Sequence, residues 1–125
     1  MADQSFESSI PGEIKIDSRF EFYDFEAKYL DGATTVEVPA KINRTDEIQR
    51  AAVEAFKSLG CSGLARVDFF YTESDEIIIN ELNTLPGFTP TSVFPRLWRE
   101  SGVSYTDLIT ALLETALQRT NSTLN

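Results

Sequence analysis

The stretch Ala65-Arg66-Val67-Asp68-Phe69-Phe70-Tyr71-Thr72-Glu73-Ser74-Asp75-Glu76-Ile77-Ile78-Ile79-Asn80-Glu81-Leu82-Asn83 decides how the rest of the chain is read. Two runs rich in aromatic and β-branched residues, Gly63–Tyr71 and Glu76–Leu82, flank a polar turn, which is the pattern of an antiparallel hairpin. With a two-residue loop at Ser74-Asp75, Asp68 stands opposite Glu81 and Arg66 opposite Asn83. Residues two apart on a strand share a face, so all four converge on one side of the sheet, with cross-strand Cβ atoms about 4.5–5.5 Å apart. Two carboxylates and an amide oxygen at that spacing suit hard cations such as Mg²⁺ or Mn²⁺. An Asp–Glu couple so close repels unless positive charge sits nearby. Arg66 supplies part of that charge, or binds an anion that the metal also touches. The same four residues equally fit the solvated side of an antiparallel sheet whose Val67, Phe69 and Ile78 face the core.

Downstream, Asn83–Thr91 is a Pro/Gly/Thr loop (Leu85-Pro86-Gly87-Phe88-Thr89-Pro90) whose backbone N–H groups lie beside the carboxylates, a nest for a carboxylate or an oxyanion. A Pro-Gly pair is also a common turn with no such role. A short helix is expected over Val93–Glu100, closed at Gly102. A last helix opens on Ser104 and Asp107 as a capping box and carries the stripe Tyr105, Leu108, Ile109, Leu112, Leu113, Ala116 and Leu117.

Upstream, a helix starts at Thr45 and keeps Ile48, Ala51, Ala52, Ala55, Phe56 and Leu59 at helical spacing until Gly60. Short strands are expected around Ile14–Asp17 and Thr34–Val38, the second stopped by Pro39. Between them Phe20, Phe22, Tyr23, Phe25 and Tyr29 crowd ten residues. They read as apolar cover over the sheet, or as a lid in which Lys28 reaches a phosphate and Tyr29 closes over a substrate. Residues 1–9 are expected to be a disordered arm, 10–119 one domain and 120–125 a polar tail. The class is α+β, mainly antiparallel sheet flanked by helices.

At 125 residues the chain suits a single domain. Eleven Lys and Arg against twenty Asp and Glu give a net charge of −9, which repels phosphate backbones and anionic lipid and argues against broad nucleic-acid or membrane-surface binding. It leaves room for a nucleotide held by a few local cations and a metal. The absence of histidine removes Ser-His-Asp and Cys-His catalysis and most zinc sites. The single cysteine, Cys61, excludes an intrachain disulfide, fits a reducing cytoplasm and is expected to be a small core residue. No secretory signal and no apolar run of spanning length are visible.

Three segments in order, Phe22-Tyr23-Asp24-Phe25-Glu26-Ala27-Lys28-Tyr29, then Ala65-Arg66-Val67-Asp68, then Asn80-Glu81-Leu82-Asn83-Thr84-Leu85-Pro86-Gly87-Phe88-Thr89, resemble the C-terminal part of D-alanine–D-alanine ligase, a family of ATP-grasp carboxylate–amine ligases. The resemblance runs from about Ile10 to Leu117. It implies the C-terminal half of an ATP-grasp domain, with ATP and two Mg²⁺ (or Mn²⁺) as cofactors and D-alanine as substrate. Asp68, Glu81 and Asn83 match the metal ligands. Arg66 matches an arginine that stabilises the acyl phosphate and the tetrahedral intermediate, and Gly87 offers a backbone N–H to the same region. Ser92 and Val93 match positions that hold the carboxylate of the second D-alanine. Lys28, Phe70 and Asn80 fall on the nucleotide, the lysine toward the γ-phosphate and Phe70 against adenine. Tyr29 falls in a closing loop and resembles the D-alanine-specific enzymes.

The same resemblance implies a longer, three-domain enzyme of bacterial cytoplasm that makes a peptidoglycan precursor. This chain is therefore expected to be a fragment without its N-terminal and central domains, inactive alone, with apolar surface that favours a homodimer. A non-catalytic module on the same fold and an ATP-grasp ligase for another amine are the alternatives.

Overall fold

The computed structural model describes residues 6–16 and 34–119. Strand β1 (Glu13–Ile16) pairs antiparallel with β2 (Thr34–Glu37), Glu13 opposite Glu37 and Ile14 opposite Val36. Helix α1 (Thr45–Ser58) follows, then the antiparallel pair β3 (Arg66–Tyr71) and β4 (Ile77–Asn83), then α2 (Val93–Glu100) and α3 (Tyr105–Gln118). Among the described residues this is an α+β arrangement of two antiparallel two-stranded sheets and three helices. The expected aromatic segment around Phe20 to Tyr29 lies outside the described residues.

The helices stop where their sequences say they should. After α1, Gly60 takes φ +66°, its N–H bonds the Lys57 carbonyl at 3.0 Å, and the Cys61 N–H reaches the Phe56 carbonyl at 3.1 Å. After α2, Gly102 at φ +98° repeats the pattern, with its own N–H on Arg99 and that of Val103 on Trp98. A residue without Cβ enters this left-handed closing turn at no steric cost. Ser104 caps α3, its hydroxyl accepting the Asp107 N–H at 3.1 Å. Pro95 sits in the first turn of α2, where its missing N–H has no helical acceptor to lose.

Packing centres on α2. Phe94 (7% exposed), Leu108 (6%) and Ile48 (8%) are buried, Pro86 is buried too, and Pro95 is buried further still. Phe88 lies between Phe94 and Tyr105, with ring centres 5.9 and 5.5 Å away. The chain entering β1 passes close to α2, so that a Cβ on Gly12 would come within 2.8 Å of the Leu97 side chain and 3.2 Å of Val36. Residues 6–10 run between helices. The Phe6 ring meets Phe56 edge-on at 5.9 Å, Gln49 donates to the Ser9 carbonyl, and the Ile10 N–H donates to the Ser101 hydroxyl.

Two expectations about burial fail. Of the α3 stripe only Leu108 is buried, whereas Leu113 is 61% and Leu117 85% exposed. The eight-residue α2 is about 12 Å long and covers only the first turns of its fourteen-residue neighbour. Cys61 is half-buried rather than a core residue, because it sits just past the closing turn of α1.

The hairpin turn also differs. The Thr72 N–H pairs with the Glu76 carbonyl at 3.0 Å, so the loop is the three residues Glu73-Ser74-Asp75, with Asp75 in the left-handed region at φ 63°. Tyr71 then faces Ile77, Phe70 faces Ile78 and Phe69 faces Ile79. A bulge between Asp68 and Phe69 absorbs one residue of β4, Asn80, and restores Asp68 opposite Glu81 and Arg66 opposite Asn83. The expected pairing of the four polar residues holds, but the expected core position of Ile78 does not. Ile78 is 45% exposed and shares the face of Arg66 and Asp68, and Ile79 takes the place beside Phe69.

Candidate functional site

The bulged hairpin brings Arg66, Asp68, Glu81 and Asn83 onto one face. Arg66 turns along its own strand and grips Asp68 with both prongs, Nε donating to Oδ1 at 2.9 Å and a terminal nitrogen to Oδ2 at 3.0 Å. The pair is about a quarter exposed on each side (28% and 23%), so it forms a fixed fork–fork ion pair. Opposite, Glu81 is exposed. The Asn83 Oδ1 accepts the Leu85 N–H at 2.9 Å, an Asx turn that launches the following loop from the strand end.

Whether this donor set fits a divalent cation can be tested on its chemistry. Each Asp68 oxygen keeps a lone pair beyond the one Arg66 uses, and the Asn83 carbonyl oxygen likewise. With Glu81 they form a hard, oxygen-only set. Among the described residues no group of three or more His, Cys, Asp or Glu is gathered as a self-sufficient cage. Mg²⁺ does not need one, since it commonly takes one or two carboxylates and completes its octahedron with phosphate oxygens and water. The residues fit such a cation in company with a polyphosphate.

Beyond the carboxylates the same face turns apolar. Phe70 (57% exposed) and Ile78 (45% exposed) stand opposite each other next to the Asp68–Glu81 step. Asn80, the bulged residue, shares the position opposite Asp68 with Glu81 and is exposed. On the other flank Gly87 lies against Ser92, whose Oγ a Cβ would approach at 3.2 Å. Ser92 precedes α2, but its hydroxyl does not cap that helix. It accepts the Thr89 N–H at 2.9 Å and bonds the Thr89 hydroxyl at 2.7 Å, tightening the loop. Val93 opens the helix. Lys28 and Tyr29 lie outside the described residues.

Two side chains to which the sequence pattern gives only packing roles complete the surroundings. Ile78 is hidden in a run of three isoleucines. Tyr105 belongs to the α3 stripe, yet its hydroxyl donates to the Phe88 carbonyl at 2.7 Å and holds the Pro-Gly loop down on α3. A tyrosine at the first position of an otherwise aliphatic stripe was the available signal.

Residues 1–114 match the family model described as D-ala D-ala ligase C-terminus. A D-alanine–D-alanine ligase of Frankia casuarinae is 53% identical over 114 residues, which are 90% of this chain and 30% of that protein. Among solved structures, the D-alanine–D-alanine ligase of Coxiella burnetii superposes with a TM-score of 0.74 at 36% identity, over 90% of this chain and 28% of that one. The VanG D-Ala:D-Ser ligase of Enterococcus faecalis gives 0.71 at 40% identity over 83% and 30%. A Bacillus anthracis D-alanine–D-alanine ligase complexed with ATP gives 0.61 at 29% over 67% and 30%. The chain thus spans about a third of the length of the relatives it matches. Its α+β fold is that of their ATP-grasp portion. The chain belongs to the D-ala D-ala ligase C-terminus family.

Proposed function

We propose that this chain forms the metal-binding and second-substrate side of a D-alanine–D-alanine ligase active site, and that alone it does not turn over. The observation that carries the proposal is the register of β3 on β4, which puts Arg66, Asp68, Glu81 and Asn83 on one face beside an exposed apolar pair. In the reaction proposed, the carboxylate of one D-alanine attacks the γ-phosphate of ATP. The amine of a second D-alanine then displaces phosphate from the acyl phosphate, giving D-alanyl-D-alanine, ADP and phosphate.

Asp68, Glu81 and Asn83 would hold Mg²⁺ or Mn²⁺, and the bound ions supply charge neutralisation on the phosphate oxygens. Asp68 also fixes the plane of the Arg66 guanidinium, so a cation is set in advance for charge that develops on the transferring phosphoryl and acyl oxygens. Phe70 and Ile78 offer an apolar seat for adenine, with Asn80 at its rim. Gly87 offers its backbone N–H to the same oxygens. Ser92 and Val93 present the uncapped start of α2 to the carboxylate of the second substrate. Lys28 and Tyr29 take the γ-phosphate and closing-loop roles that the resemblance gives them.

The complete site needs the N-terminal and central portions of a ligase as partners. Bacterial cytoplasm and peptidoglycan precursor synthesis follow from the same proposal; among the described residues no helix is long and apolar enough to cross a membrane. A coupled ADP-release assay with D-alanine tests the inactivity: the expected result is no turnover above background, and turnover at the rate of a whole ligase would contradict it. The 40% identity to a D-Ala:D-Ser ligase supports a second reading, in which the second substrate is another small D-amino acid. Competition between D-alanine and D-serine in a ligase carrying this segment separates the two.

A further inference from the structure

The run Ile77-Ile78-Ile79 is indifferent to register, because any of the three can take either face of a strand. A two-residue loop at Ser74-Asp75 would keep Asp68 opposite Glu81 with no bulge at all. It would also put Ile79, not Ile78, opposite Phe70, and Asn80 opposite Phe69 on the apolar side. The structure takes the longer route, a three-residue turn plus a bulge at Asn80. Such turns end on a residue in the left-handed region, here an aspartate and not glycine. The Asp75 N–H closes the turn on the Thr72 carbonyl at 3.0 Å, and two side chains from outside the turn add to that hold. The Arg44 guanidinium, just before α1, donates to the Asp75 backbone carbonyl and pairs with Glu47. The Tyr71 hydroxyl donates to its Oδ1 at 2.5 Å.

We propose that Arg44 and Tyr71 are positioning residues: by holding Asp75 left-handed they fix the three-residue turn, displace the bulge to Asn80, and seat Ile78 beside Phe70 on the face of Asp68 and Glu81. The consequence for a nucleotide rests on the function proposed above, but the register itself does not. α1 thereby sets which isoleucine lines the face, through a residue more than twenty positions from the strand it controls.

Cross-strand NOEs in the isotope-labelled chain read the register directly, without ligand. The parent chain is expected to show Phe70–Ile78 contacts alone. The double variant Arg44→Ala/Tyr71→Phe is expected to add Phe70–Ile79 and Phe69–Asn80 contacts from about a tenth of the molecules or more. Deleting Asn80 in that background is expected to restore Phe70–Ile78 contacts alone, because plain alternation then favours the three-residue turn. Loss of folded signal only while Asn80 is present supports the proposal too. Phe70–Ile78 contacts alone in the double variant would overturn it, and so would unfolding that is equal with and without Asn80. Failure of Mg²⁺–ADP to bind any of these chains would remove the nucleotide reading and leave the register result standing.

Discussion

Asp68 stands opposite Glu81 across the β3–β4 ladder, carboxylate against carboxylate, with the Arg66 fork on Asp68. Like charges at directly opposite strand positions repel each other. Arg66 meets the charge of Asp68, and in the function proposed a bound metal ion would meet that of Glu81.

Asp68→Asn removes the negative charge of one ligand and one of the two acceptors that the Arg66 fork grips. Mg²⁺–ADP affinity is expected to fall at least about tenfold, equivalent to about 1.4 kcal/mol. Calorimetric titration of the variant against the parent chain measures it. Thermal stability should change little, because the pair is partly exposed and such pairs contribute weakly.

The small core makes single truncations costly. Leu108→Ala is expected to lose about 2–5 kcal/mol, a large share of the about 5–15 kcal/mol that holds a domain folded. Ser104→Ala, which removes the α3 cap, should lose about 1 kcal/mol. Urea unfolding of the two variants gives both numbers, and equal losses would contradict the packing described.

Tyr71 is held protonated above the ordinary tyrosine range, chiefly by the hydrogen bond its hydroxyl makes to Asp75, then by desolvation and by the nearby carboxylate. A raised acid pKa means that the protonated form is favoured in the fold. The turn's stabilisation is therefore complete below the unfolded value, about 10, and is lost as pH rises through the folded one. NMR titration of the Tyr71 ring should show a midpoint above about 10 that Asp75→Ala lowers.

Leu85 and Leu113, 88% and 61% exposed, border with Leu64, Pro86, Phe88 and Leu112 a groove of about 380 Å³, and Leu117 further along α3 is 85% exposed. Apolar surface of this kind promotes self-association. The chain is expected to elute larger than a monomer at high concentration, and Leu113→Lys/Leu117→Lys to elute as one. Light scattering on the two proteins decides it.

Much of this was legible in the sequence, for identifiable reasons. Gly60, Gly102 and Ser104 mark helix ends through backbone chemistry that depends on nothing distant. The Asp68–Glu81 pairing was legible as well, although by a route the structure does not take: the turn holds one residue more than expected, and the bulge at Asn80 cancels it. Ile78 was misplaced because three successive isoleucines erase the alternation that fixes a strand's faces. Arg44 was invisible because its partner, the Asp75 carbonyl, is set by tertiary contact. The bare end of the α3 stripe was equally hidden, since periodicity shows which face is apolar but not what covers it.

The most direct test of the central claim is an NMR titration of the chain with Mg²⁺–ADP. Binding is expected on the order of millimolar, with shifts centred on Arg66, Asp68, Phe70, Ile78, Glu81 and Asn83, and lost in Asp68→Asn/Glu81→Gln. Saturating shifts elsewhere, or shifts that survive that double substitution, would contradict the assignment of this face to metal and nucleotide.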